Sequence, residues 1–306
     1  MKKIDWTIWK PRVLYGGFAA VAFALSLRCT FPSEAVKERL ILEAGIRGWQ
    51  IEVQDVRAGP LLGARVDGVQ LEDRTGLKIP IDAVTISLRF LPLLIGKRVL
   101  AFDASLYDGH VAGSADLSGD VRHVTVQVDG LDLARALPLR KAAGMDLQGK
   151  LGGAADLSIP VAADEKPTGR IDLAVADAGI AGGQLPIPGM ATGLTLPRIS
   201  LGAVATAVKL EGGKGTVEKL EAKGGEAELT GDGLSVVLQG RPEHYPLFGK
   251  ARIKFLPAFW TKPATSSFKG LAEAALGSAR MPDGGYQLQV FGSLGHPQVR
   301  PAASAH

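Results

Sequence analysis

The sequence predicts a mainly β protein: one N-terminal transmembrane helix, then a curved antiparallel β-sheet or sandwich with short capping helices. Three observations predict it. Beyond Trp49, apolar and polar residues alternate along run after run, the period of strands with one half-buried face. Glycine, 39 of the 306 residues, breaks these runs at intervals of roughly eight to twelve residues, as in an antiparallel meander or sandwich. Ahead of them stands one apolar stretch, Val13 to Leu27.

That stretch alone spans roughly 22 Å as a helix, short of a hydrocarbon core of about 30 Å. Extended from Trp9 to Phe31 it reaches roughly 34 Å, with aromatic residues at both ends, where membrane interfaces favour them. The anchor residues are Trp6, Trp9, Val13, Phe18, Phe23 and Leu27, within a cytoplasmic tail at 1–12 and a span at 13–31. Lys2, Lys3, Lys10 and Arg12 precede the run, which puts the N-terminus in the cytoplasm. A cleavage site needs small residues just beyond the run, and Ser26, Leu27, Arg28 and Cys29 stand there instead. Lipidation of Cys29 needs a small residue before it, and Arg28 holds that place. The segment therefore reads as a retained anchor.

The formal charge of +4 comes mostly from the first twelve residues, where four basic side chains face only Asp5. No basic stripe with interleaved aromatics follows, which excludes nucleic acid as a partner. One cysteine excludes an intrachain disulfide. Aromatics are only 6% of the chain, so the core is thin and built from small and β-branched side chains.

Directly after the span, "FPSEAVKERLILEAG" reads as a short amphipathic helix that plugs the end of a sheet or lies on the membrane surface. Ser33 is its N-cap, Val36, Leu40 and Ala44 form one face, and Gly45 is the stop. "WQIEVQ" sends Trp49, Ile51 and Val53 to one side, and "VTISLRF" does the same with Val84, Ile86, Leu88 and Phe90. Asp108-Gly109 favours the positive φ angles of a tight hairpin. Alternation continues through Val124–Val128, Leu151–Ile159, Ile171–Val175, Ala227–Leu229, Leu234–Leu238, Ile253–Phe255 and Leu288–Val290. "FLPLLIGK" reads as an apolar loop, and the polar "VAADEKPTG" divides the body, 32–296, into two halves near 160–170. "GQLPIPGMATGLTLP" is too rich in Pro and Gly for regular structure. "SSFKGLAEAALG" is a second capping helix, with Phe268, Leu271 and Ala275 inward and Gly277 as its stop, and the tail 297–306 is loose.

No catalytic constellation emerges. The histidines, His110, His123, His244, His296 and His306, are scattered, and none has the i, i+4 spacing of a zinc-binding helix. "EGGKGTVEK" lacks the Gly-Lys-Ser/Thr ending of a phosphate loop and reads as a hairpin turn. There is no Gly-x-Ser-x-Gly elbow, and the paired acids Asp129/Asp132 and Glu226/Glu228 read as solvated surface. The expectation is a non-enzyme with no cofactor and no metal site.

Taken in order, the anchor, "FPSEAVKERL", "LYDGHVAGSADLSG", "LEGGKGTVEKLEAKGGEAELTGDGLSVVL" and "YQLQVFGSLGHPQVRP" resemble the type II secretion system protein N family over nearly the whole chain after residue 10. The resemblance implies a Gram-negative inner-membrane protein with a β-rich periplasmic body, an accessory or scaffold of the secretion machine with other secretion-system proteins as partners. The same layout is similar to the broader AsmA-like group, whose β groove is associated with lipid movement, although this chain is much shorter than the larger members. Two readings follow: a scaffold docking through strand edges, and a phospholipid-binding groove lined by Val84, Ile86, Leu88 and Phe90. Alternation does not separate them, because a packed face and a lipid-lined face need the same residues.

Overall fold

The computed structural model describes residues 32–302, apart from 47, 60–61, 73–75, 77, 139, 141–144, 163–164, 186–193, 240–243 and 263–264. The expected span, with Trp6, Trp9, Val13, Phe18, Phe23 and Leu27, lies outside the described residues. Among those described, no helix is long and apolar enough to cross a membrane.

Alternation and tight turns give one antiparallel sheet rather than the two layers of a sandwich. Fourteen strands follow one another in chain order: β1 (Gln50–Ala58), β2 (Leu62–Glu72), β3 (Lys78–Leu88), β4 (Val99–Leu106), β5 (Gly109–Asp116), β6 (Val121–Asp132), β7 (Met145–Pro160), β8 (Thr168–Leu185), β10 (Ile199–Glu211), β11 (Lys214–Lys223), β12 (Ala227–Val237), β13 (Leu247–Phe255), β14 (Tyr286–Ser293) and β15 (His296–Pro301). The three-residue β9 (Leu194–Leu196) pairs with the end of β8, off this path. Helices are few and short: α1 (Ser33–Ile46), α2 (Phe90–Leu94), α3 (Pro257–Trp260) and α4 (Ser266–Leu276).

Turn chemistry sets the meander. At the β4–β5 hairpin the positive φ angles fall on Tyr107 (50°) and Asp108 (57°), one residue earlier than the Asp-Gly dipeptide suggests. Gly109 instead opens β5 where a Cβ would press on the backbone of Leu131 at 2.6 Å. The β10–β11 hairpin turns through Gly212 (59°) and Gly213 (77°), so "EGGKGTVEK" is a hairpin as its composition implies.

The stretch near 160–170 connects β7 and β8, which pair from Ser158↔Thr168 inward with register shifts at Asp146/Leu147 and Gln148/Lys150. Several expectations need correction. The tail is ordered to Pro301, since β15 pairs with β14. α1 runs through Gly45 to Ile46, and the left-handed position falls on Gly48 (84°). Gly277 is right-handed and leads α4 into a 3₁₀ turn, Gly277–Ala279, instead of stopping it.

Buried side chains gather at the two ends of the sheet. At the first, Val53, Val56, Val66 and Val69 form a cluster onto which Val36 and Leu40 of α1 pack. At the second, Phe255, Phe259, Phe268 and Tyr286 cluster with Ile199, Ala227 and Leu276. Phe255 and Phe259 stack at 4.7 Å, and Phe268 meets Phe259 edge-on at 5.8 Å, so three of the chain's ten phenylalanines serve one cap. The buried Thr265 hydroxyl donates to the carbonyls of Phe259 (2.7 Å) and Lys262 (2.8 Å), closing the turn between α3 and α4.

Glu226 ties this cap to the sheet through an ion pair with Lys262 and a 3.2 Å hydrogen bond from the Ser200 N–H. Burial pushes its carboxyl up, but these partners outweigh it and hold the group below the usual glutamate range. A carboxyl lowered on folding contributes stability above its unfolded value of about 4.3, which is lost as pH falls through the lowered value. Glu226→Gln is accordingly expected to flatten the fall in stability between about pH 5 and about pH 3, read by urea denaturation across that range. Phe259→Ala removes the centre of the aromatic cap and should cost about 3–5 kcal/mol, read as a lower denaturation midpoint at neutral pH.

Candidate functional site

Cross-strand partners in an antiparallel ladder share a face, so the register maps each face of the sheet directly. One apolar row runs Val84, Ala104, Val111, Val128, Gly153, Leu173, Thr206, Leu220. A second, two residues along each strand, runs Ile86, Phe102, Gly113, Val126, Ala155, Ile171, Val208, Val217. A third runs Leu88, Leu100, Ala115, Val124, Leu157, Gly169, Leu210, Gly215. With strands about 4.8 Å apart and rows about 6.8 Å apart, the strip is roughly 34 Å long and 14 Å wide.

Both caps belong to this face. Val84 pairs with Val66 of the valine cluster. At the other end a parallel row, Val175, Val204, Ala222, Leu229, Ile253, Tyr286, leads into the aromatic cluster. Among the described residues no element covers the strip between the caps, and no residue of β3–β7 is buried. A sandwich of these strands would bury alternate residues throughout.

The strip is also levelled. A Cβ on Gly113 would meet the Phe102 ring at 2.5 Å, one on Gly153 would meet Leu173 Cδ2 at 2.9 Å, and one on Gly169 would meet Leu157 Cδ2 at 3.0 Å. Each glycine lets its neighbour's side chain lie down along the sheet instead of standing up to interdigitate with a second layer. Phe102 and these glycines were not singled out from sequence. The signal was there, because strand-interior glycine marks a close approach.

Of the four expected groove residues, the structure brings Val84, Ile86 and Leu88 together on this face and leaves Phe90 out. β3 ends at Leu88, and Phe90 begins α2, where it is exposed. Pro92 has no N–H for a ladder, so the alternation of "VTISLRF" is cut short.

The opposite face is polar and forms an open groove of ≈630 Å³ lined by residues from Thr85 and Ser87 across to Arg170 and Asp172. Its charges largely answer one another. His110 lies 2.9 Å from Asp103, and Arg170 pairs with Asp172 at 2.7 Å and Glu218 at 2.8 Å. The hydrogen bond to Asp172 raises the Arg170 guanidinium further above its ordinary value. The Ser114 and Thr125 hydroxyls bond each other at 3.0 Å, and Ser158 bonds His123 Nδ1 at 3.1 Å. These are lateral ties between strands, with no nucleophile, base and orienting group in line. Among the described residues no group of three acidic, histidine or cysteine side chains is placed to hold a metal ion.

No protein-family model, no curated protein and no solved structure matches the chain.

An uncovered strip makes a contrast along one face. Ile86→Ser, in the open region, should cost no more than about 1 kcal/mol. Val66→Ser, on the same face but under α1, should cost about 2 kcal/mol or more, because it hollows a covered cluster and buries a hydroxyl. Urea denaturation of the two variants reads the difference.

Proposed function

We propose that the chain is a non-catalytic, single-pass protein of the Gram-negative inner membrane, with its N-terminus cytoplasmic and its β body periplasmic. It serves the type II secretion machinery in the manner of the protein N family, and its open apolar strip takes up the acyl chains of phospholipid. The observation that carries the reading is the three-row apolar face from β3 to β11, with no buried residue across β3–β7 and no covering layer there among the described residues. Its area, roughly 480 Å² from the strand and row spacings, lies in the range where exposed patches mark binding surfaces. Its length exceeds half a bilayer core, about 15 Å, which is the depth one acyl chain occupies. The levelled surface suits a flexible hydrocarbon, which makes no demand for matching knobs and holes.

A second reading, a protein scaffold, is favoured by a different feature. Among the described residues β1 pairs only with β2, carries no proline, and has no ladder partner on its other edge over nine residues. The far edge strand, β15, is blunted by Pro297 and Pro301. An extended segment of another secretion protein adds to β1 without disturbing the strip.

Photo-crosslinking of the full chain in native membranes separates the two. A photoreactive residue at Ile171 should capture phospholipid and one at the adjacent Asp172, on the polar face, should not. Protein adducts at Ile171, or equal lipid capture at both positions, would contradict the acyl-chain reading. Protein adducts confined to β1, at Glu52, would favour the scaffold.

A further inference from the structure

The β3–β4 connection exposes large apolar side chains that neither cap explains. Phe90, Leu91, Leu94 and Ile95 are 47%, 76%, 67% and 73% exposed. The loop is built to hold them there. The N–H groups of Ile95 and Lys97 donate to the Pro92 carbonyl at 3.1 and 2.9 Å, Gly96 donates to Leu93 at 3.0 Å, and Arg89 donates to Val99 at 2.9 Å across the base. Arg89, Lys97 and Arg98 flank the apolar tip, all exposed and none within 4 Å of an acidic side chain among the described residues. No Asp or Glu occurs from residue 83 to residue 102. Asp116, opposite Val99 in the ladder, is engaged first by the Ser118 N–H at 2.9 Å, with the Lys97 charge acting on it more weakly.

The loop also lies at a telling end of the sheet. α1 enters β1 at Gln50 and folds back over it, resting Val36 and Leu40 on valines that extend to Val56. Its first turn therefore points toward the Ala58 end of β1. The register pairs Ala58 with Ala64 and Ala64 with Ile86, so this is the same edge from which the 89–98 loop projects. The apolar segment Val13–Leu27 is joined to α1 at that edge by only a few residues.

We propose that the Phe90–Ile95 loop docks on the bilayer that holds the N-terminal segment. Its apolar tip enters the acyl boundary, and Arg89, Lys97 and Arg98 lie among anionic headgroups. An apolar tip ringed by basic residues is the pattern of interfacial insertion, and basic side chains gain from an anionic surface. The docked loop gives the sheet a second point of attachment, so its edge is held on the membrane instead of swinging from one tether. This rests on residues 13–31 being a span and is independent of whether the apolar strip binds lipid.

The test uses the full chain in vesicles of zwitterionic and anionic phospholipid. Cys29, the only cysteine, is replaced by serine, and an environment-sensitive fluorophore is placed at Leu94→Cys, Ala22→Cys or Leu137→Cys. Leu137 is exposed and follows β6 at the opposite edge. Lipids brominated along their acyl chains should quench the probes at Leu94 and Ala22 and leave Leu137 unquenched. Arg89→Glu/Lys97→Glu/Arg98→Glu should reduce Leu94 quenching about twofold or more, and this loss should weaken at high salt. Quenching at Ala22 without quenching at Leu94, or equal quenching at Leu94 and Leu137, would overturn the docking. No quenching at Ala22 would overturn the span on which it depends. Unchanged quenching in the triple variant would overturn the role given to the basic residues.

Discussion

A sheet has two faces, and every backbone hydrogen bond in it lies in the plane between them. The ladder therefore satisfies the main chain and covers neither face. Among the described residues the chain does not turn back to supply a second sheet: apart from the short β9, each strand pairs with its neighbours along one path in chain order. Among the described residues, the two buried clusters are covered by helices, α1 on the valine cluster and α3–α4 on the aromatic cluster. The rest of the architecture follows from this lack of a second layer. The middle strands are held by their neighbours and by lateral ties such as Arg170–Glu218, and their apolar side chains lie flat over Gly113, Gly153 and Gly169.

The same constraint shapes energetics and dynamics. Stability is concentrated where burial is concentrated, so the end caps should be the last parts to open and the middle strands the first to exchange their amide protons. A meander joins each strand to one that is next or nearly next in sequence, which favours sequential pairing during folding. It also leaves a long apolar strip at risk of sticking to other chains unless something occupies it. If the proposed anchor and loop docking hold, lipid acyl chains are the apolar material nearest that strip.

Much of the strand pattern was legible because a period of two is a direct statement about faces. Val84, Ile86 and Leu88 were placed on one face from alternation alone, and the structure keeps them there. The number of layers was not legible, since an inward-facing valine in a sandwich and an outward-facing one on an open sheet occupy the same position in the pattern. Phe90 was assigned to the strip because alternation outran the chain break that Pro92 imposes. The β4–β5 turn was read one residue late because Tyr107 is an uncommon residue at positive φ, and only the register forces it there. Polar residues and proline near 160–170 mark the β7–β8 connection, and such residues mark a loop equally well between hairpin strands and between domains. The continuity of the strip from cap to cap came only from pairing, because it depends on bulges, as at Ala207/Val208, that composition does not reveal.

The central claim is that lipid covers what the protein leaves open. The most direct measurement is the phospholipid content of the β body, obtained by folding the full chain in a bacterial envelope, cutting at a protease site inserted ahead of Ser33, and purifying without detergent. Mass spectrometry of the extract should find at least about one phospholipid per chain, in line with the acyl-sized area of the strip. A folded, monodisperse body with only trace lipid would contradict the account, and would mean that the strip is covered by protein instead.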